Sequence, residues 1–247
     1  MLNLPFQKDA GVSKRDLQRS MYELRGASLT PRFTIAALGA ACVVLAWWLL
    51  LGGGMTTAGA WFGRRWRPGS VVRRAGLGAA FSIYYVRILF TEFVFLKRGV
   101  GWSEALTIAP WMLAIYVLLA IAGGTRTGAL GLPGAVGIGL FLLGSWMNSY
   151  SEYARHVWRH RPENRGQLYT HGLFRWSRHP NYLGDLISFS GICLISAAWI
   201  TAVIPVLMLC GFVFVNIPML DSHLHDRYGA AFDEYARRTK KLIPFVY

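Results

Sequence analysis

Residues 33–62 run for thirty positions without a charge. Backbone N–H and C=O groups in so apolar a stretch must be satisfied within the chain, which in a bilayer leaves helices or closed barrels. A helix needs roughly 20 residues to cross the hydrocarbon. Gly52-Gly53-Gly54 should end a first helix near residue 52. Residues 55–62 are then a re-entrant or interfacial piece. Further apolar stretches cover about 75–96, 103–121, 133–153, 183–199 and 202–220. Charged residues make up only 15% of the chain, against about 25% in soluble domains. The expected fold is all-α: a polytopic integral membrane protein with about six to seven transmembrane helices.

The net charge of +14 does not point to nucleic acid, because the basic residues sit between apolar segments. There they anchor loops on anionic membrane lipids and set topology. Both termini and the 154–182 loop are expected in the cytoplasm. Arg64, Arg65, Arg67, Arg73 and Arg74 form a basic loop on the opposite side of that arrangement. Either the first run is a double pass or the loop folds back. Residues 1–30 read as a cytoplasmic arm with a short surface helix in 13–25, and with no signal-peptide h-region. Residues 31–247 read as one transmembrane catalytic domain.

Within these helices a few polar residues stand out. Tyr84, Tyr85, Arg87 and Glu92 interrupt the second. Arg87 and Glu92 are five apart, a poor spacing for a pair on one helix, so each should face a cavity or another helix. Pro110 is a candidate kink. Gly137, Gly139 and Gly144 allow close helix approach and, lying inside an apolar helix, are no dinucleotide fingerprint.

The densest polar region is 148–185. Arg178-His179-Pro180-Asn181-Tyr182-Leu183-Gly184-Asp185 puts two cations, an amide, a phenol and a carboxylate directly before an apolar run. Arg159, Arg175 and Arg178 offer forked donors for phosphate. Asn181 offers a paired donor and acceptor. Asp185 and Glu152 suit a ribose hydroxyl or balance the arginines, and the helix dipole would favour Asp185 in an opening turn. Tyr84 and Tyr182 can stack or donate to a carbonyl. A nucleotide meets all of these together. His179 can equally shape the turn before Pro180. His156, His160, His171 and His179 match no HExxH spacing, and His223 and His225 diverge on a helix, so no metal is expected. Tyr228, Phe232 and Tyr235 recur at helical spacing, so part of the tail should be an amphipathic helix under the core.

Arg178-His179-Pro180-Asn181-Tyr182, then Gly184-Asp185, resembles the membrane superfamily of steroid 5-alpha-reductases, sterol C14- and C7-reductases and isoprenylcysteine carboxyl methyltransferases. Three features lean to the reductases. They are Gly184-Asp185 itself; Asn148, Glu152 and Arg159 with Arg161-Pro162-Glu163-Asn164-Arg165-Gly166; and the closing 228–235 and 242–247 segments. The resemblance implies NADPH held by Asn148, Glu152, Arg159, Arg178, His179, Asn181, Tyr182, Asp185, Tyr228 and Tyr235, mainly within 148–247. Arg159 and Arg178 would contact phosphates, and Asn181 and Asp185 the nicotinamide-ribose end.

Tyr84-Tyr85-Val86-Arg87 resembles the stretch whose tyrosine polarises a steroid ketone, so Tyr84 is expected in that role. The family's glutamate after Ala-Trp-Phe is absent, since Ala60-Trp61-Phe62 is followed by Gly63-Arg64-Arg65. Glu92 is taken as its stand-in. The implied substrate is a steroid, sterol or related lipid entering from the bilayer, reduced at a C=C bond. The implied setting is a bacterial inner membrane with the cofactor site facing the cytoplasm. Two alternatives stand beside this: an S-adenosylmethionine-dependent methyltransferase of isoprenylcysteine or phospholipid type, and a non-enzymatic lipid-binding protein of the same fold.

Overall fold

The computed structural model describes residues 29–247; the surface helix expected in 13–25 lies outside them. The described residues form helices joined by short turns, with one isolated bridge between Ser177 and Lys240. Helix α1 spans Leu29–Leu50 and α2 the eight residues Gly54–Trp61. Between them Gly53 takes φ +82°, open to glycine without strain, and reverses the chain. The piece after the triple glycine is thus a separate short helix.

Helix α3 spans Val71–Phe90 and widens into a π-helical turn, Thr91–Phe95. Helix α4 is Trp102–Gly124, continuous through Pro110. Helix α5 is Gly131–His160. At 1.5 Å per residue its 30 residues reach about 45 Å, beyond the ~30 Å hydrocarbon. Its last turns, rich in Glu152, Arg155, Arg159 and His160, therefore stand in the polar zone. Helix α6 is Pro180–Ser196, with Pro180 at the first helical position, where its missing N–H has no intrahelical acceptor to lose. A near-continuous run then contains α7 (Val203–Gly211), a π-helical turn (Phe212–Asn216) and α8 (Ile217–Tyr228). Helix α9, Ala230–Arg238, follows. Five of the described helical runs are long and apolar enough to cross a membrane: 29–50, 71–95, 102–124, 131–160 and 199–228. Helix α6, at 17 residues, is shorter. The chain is an all-helical, multi-pass membrane protein.

Helices α5 and α6 pack at glycine contacts. A Cβ at Gly144 would collide with the Gly184 carbonyl, and one at Gly137 would sit 2.6 Å from the Gly191 oxygen. Gly139 has nothing within 4 Å and plays no part in the contact. Backbones this close let polar side chains on the two helices meet without long reach.

The far end of the bundle is fastened by the arginines read above as loop charge. Arg73 and Arg74 belong to the first turn of α3. Arg73 is 3% exposed. Its Nε donates to Ile195 O at 3.0 Å, Nη1 to Arg126 O at 3.1 Å and Gly128 O at 2.9 Å, and Nη2 to Ala129 O at 2.8 Å. Arg74 donates to Leu50 O at 2.6 Å. These guanidinium groups supply donors to carbonyls at the ends of two helices, those of Leu50 and Ile195, and to three in the 125–130 turn. Arg73 and Arg74 thus act as fasteners, whatever the side on which the other three arginines lie.

Candidate functional site

The opposite end holds the charged cluster. Arg87 Nη2 on α3 donates to Asp185 Oδ1 on α6 at 2.8 Å, and Arg87 Nη1 to Ser145 Oγ on α5 at 3.2 Å. Arg87 therefore faces other helices, as its spacing from Glu92 predicts. Asp185 is the sixth residue of α6, past the first turn. A guanidinium, and not the helix dipole, holds it there.

One turn away the glycine contact lets Asn148 Nδ2 donate to Asn181 O at 3.0 Å. Asn181 Nδ2 donates in turn to Glu152 Oε1 at 3.0 Å. The other Glu152 oxygen accepts from Arg155, whose guanidinium also lies 5.7 Å from the Phe174 ring centroid. Arg155 is a member of this network that the motif comparison misses; its i,i+3 spacing from Glu152 was the available signal. Arg159, two turns beyond Glu152, is exposed and makes no hydrogen bond to a described residue.

Asp221 organises the next layer. It pairs with Arg178 Nη2 at 3.1 Å and with His179 Nε2 at 2.9 Å. The His179 ring stacks on Tyr182 with centroids 5.4 Å apart, and Tyr182 on Phe212 at 4.6 Å. Burial holds the His179 imidazole below its usual pKa, opposed by the hydrogen bond and charge of Asp221. His179 occupies the cap position of α6 but makes no side-chain cap bond. The only sequence signal for Asp221 was its place as the first charge after an apolar run.

The C-terminal tail fixes the backbone of the motif. Arg178 N donates to Lys240 O at 2.9 Å and His179 N to Lys241 O at 3.2 Å. The Tyr235 hydroxyl donates to Phe174 O at 2.7 Å, and burial pushes its phenol well above the usual value. Gly229, at φ +52°, separates α8 from α9. Tyr228 consequently ends α8, while Phe232 and Tyr235 lie buried on α9. Tyr228 sits under the Arg227 guanidinium, 5.4 Å from its ring centroid.

The two residues expected to act on substrate are placed apart. Tyr84 packs edge-on against Phe189 at 4.8 Å, with the Arg87 guanidinium 5.3 Å from its ring centroid. It therefore borders the Arg87–Asp185 pair. Tyr85 is committed elsewhere, its hydroxyl donating to Ala36 O at 2.7 Å. Glu92 lies in the π-helical turn, 6% exposed, with Oε2 buried and unpartnered among the described residues. Its electrostatic neighbours are Glu104, Arg32 and Arg98. It belongs to that corner, and no hydrogen bond joins it to the Arg87–Asp185 cluster.

A cavity of about 490 Å³ opens between α3 and α5. Ile83, Val86, Phe90, Phe95 and Tyr153 give it an apolar wall, and Arg87 and Asn148 form part of its lining. Those two residues also belong to the polar network, so an apolar chamber and a charged cluster share a boundary.

The fold and the cluster define a polytopic membrane protein with a charged site built on its α5–α6 contact. The chain belongs to the family described as Protein of unknown function (DUF1295), which matches residues 102–239. It is 27% identical to rat 3-oxo-5-alpha-steroid 4-dehydrogenase 2 over 191 residues, 74% of this chain and 73% of the relative. It is 30% identical to the human protein of that name over 113 residues, 46% of this chain and 42% of the relative. A probable protein-S-isoprenylcysteine O-methyltransferase from indica rice is 33% identical over 91 residues, 37% of this chain and 48% of the relative. The chain thus spans less than half the length of the human and rice relatives it matches. Two of the groups that the Arg178–Asp185 motif resembles, steroid dehydrogenases and isoprenylcysteine methyltransferases, are thus represented among its relatives.

Proposed function

We propose that this protein is a membrane-embedded reductase that transfers a hydride from NADPH to an activated C=C bond of a steroid, sterol or related lipid. The observation that carries this reading is the shared boundary: Arg87 and Asn148 line the apolar cavity and also belong to the network reaching Asp185 and Asn181. The residues present suit the cofactor. Arg178 Nε and His179 Nδ1 are buried without a hydrogen-bond partner among the described residues. Arg159 and Arg175 are exposed and have no carboxylate within 4 Å among them. The named sequence similarity to steroid dehydrogenases supports the substrate class.

NADPH, when bound, supplies the hydride. Arg159 and Arg178 bind its phosphates, while Asn148, Glu152 and Asn181 orient the nicotinamide-ribose end, with Asp185 fixed by Arg87. His179 and Tyr182 provide a stacked wall, and Tyr228 and Tyr235 close the site from the tail. The lipid enters laterally through the α3–α5 cavity, where water is scarce. Tyr84 donates to the substrate oxygen as negative charge develops there. Glu92 acts from the neighbouring corner as the replacement acid. The catalytic unit is 31–247, its cofactor region mainly 148–247, in a bacterial inner membrane with the site on the cytoplasmic side.

The test is cofactor oxidation coupled to saturation of an enone lipid by purified protein. NADPH consumption with one-to-one formation of the saturated product, abolished in Asn181→Ala, is expected. No product across a panel of enone steroids and sterols would count against the reading. The rice relative keeps a second reading: the same cluster holding S-adenosylmethionine for methyl transfer to a lipid-linked carboxylate.

A further inference from the structure

Helix α5 presents two adjacent faces. Asn148, Glu152, Arg155 and Arg159 follow one line of its surface, and Ser149, Tyr153, His156 and His160 the next. The first carries the network described above. The second lines the α3–α5 cavity at Ser149 and Tyr153, then continues to a histidine pair at the helix end. His156 and His160 have ring centroids 4.2 Å apart. His156 packs edge-on against the cavity residue Phe95 at 5.5 Å, and its Nδ1 is buried without a partner among the described residues. Across from them, just past the π-helical turn, Lys97 Nζ lies 2.8 Å from His160 Nε2. His160 Nδ1 is 2.7 Å from His156 O. A proton on Nδ1 satisfies that carbonyl and leaves Nε2 to accept from the ammonium.

Lys97 keeps two N–H donors and has no carboxylate within 4 Å among the described residues. The neighbouring Arg98 is held by Glu104 through two bonds, at 2.8 and 2.6 Å. The rim therefore offers the Lys97 ammonium with the His160 imidazole beside it. A compact ammonium beside an imidazole acceptor suits a monoanion such as a carboxylate.

We infer that Lys97 and His160 form a subsite for the carboxylate of an amphipathic lipid substrate whose apolar body fills the α3–α5 cavity. This rests on the reductase reading for the fate of the lipid, and it names the substrate class: an elongated acid with its reducible bond at the end remote from the carboxylate. Twelve residues of helix separate His160 from Asn148, a rise of about 18 Å. The carboxylate sits at the membrane surface while the far end of the molecule reaches Arg87 and Asn148.

Equilibrium binding without cofactor tests this, in nanodiscs of zwitterionic phosphatidylcholine, so that no anionic bilayer lipid competes. The probes are a 3-oxo-4-ene steroid bearing a side-chain carboxylic acid and its methyl ester. The acid should bind about tenfold more tightly than the ester. The ratio should fall toward one in Lys97→Gln and persist in Lys97→Arg. Equal affinities in the unaltered protein, a preference that survives Lys97→Gln, or no binding of either probe would overturn the subsite. An acid preference without NADPH turnover would retire the reductase reading and leave the subsite standing. Turnover of the ester with no acid preference would do the reverse.

Discussion

Arg87 on α3 and Asp185 on α6 are 98 positions apart in sequence and 2.8 Å apart in space, their side chains only 11% and 18% exposed. Removing one member of such a pair strands the other charge in a poorly hydrated site. Asp185→Ala should therefore destabilise the protein by about 3–5 kcal/mol. The double variant Arg87→Met, Asp185→Ala should recover much of that loss. Thermal unfolding in detergent measures both, and additive losses would show that the two charges do not depend on each other.

The packing of α5 on α6 predicts a sharp contrast between two glycines. Gly144→Ala drives a methyl into the Gly184 carbonyl and within 2.6 Å of Ser188 Oγ. It should cost about 1–3 kcal/mol or more and weaken cofactor binding, because the Asn148–Asn181 bond sits on the same contact. Gly139→Ala meets open space and should leave stability unchanged or slightly improved. Equal effects would place the helix contact on another face.

His179 predicts an acid-sensitive component of stability. Its folded pKa is lowered by burial, against the opposing pull of Asp221. A depressed folded value means the unfolded chain binds the proton more readily. The contribution is fully present above about pH 6.5, the unfolded imidazole value, and is lost as pH falls toward the folded value. Melting temperatures of the unaltered protein and His179→Gln, scanned from about pH 8 to pH 5, should converge as pH falls. Parallel curves would mean that His179 does not titrate differently on unfolding.

Tyr84→Phe removes a hydroxyl and leaves the ring packed on Phe189. Turnover should fall by about 10²-fold with cofactor affinity nearly unchanged. Unchanged turnover would remove Tyr84 from the chemistry.

The helices were legible because long uncharged runs admit few alternatives, and Pro180 marks the start of α6. The candidate site was legible as a list of residues in 148–185. Its wiring was not: Asp221 reaches back to Arg178 and His179 across more than 40 positions, and Arg87 finds Asp185 on another helix. Such pairs are set by tertiary packing, which spacing along one helix does not encode. The same limit made Arg73 look like loop charge when it serves carbonyls from Ile195 and residues 126–129. Helical phase separates Gly139 from Gly137 and Gly144. Gly229 breaks the periodicity that would have carried Tyr228 into the same helix as Phe232 and Tyr235.

The most direct test of the reductase account is a side-by-side titration of the detergent-purified protein with NADPH, NADH and S-adenosylmethionine, repeated with Asn181→Ala. Asn181 is the residue to change because it joins Asn148 to Glu152. The account predicts saturable NADPH binding that weakens at least about tenfold in the variant, with no binding of S-adenosylmethionine. Selective S-adenosylmethionine binding, lost in the same variant, would contradict it and assign the cluster to methyl transfer.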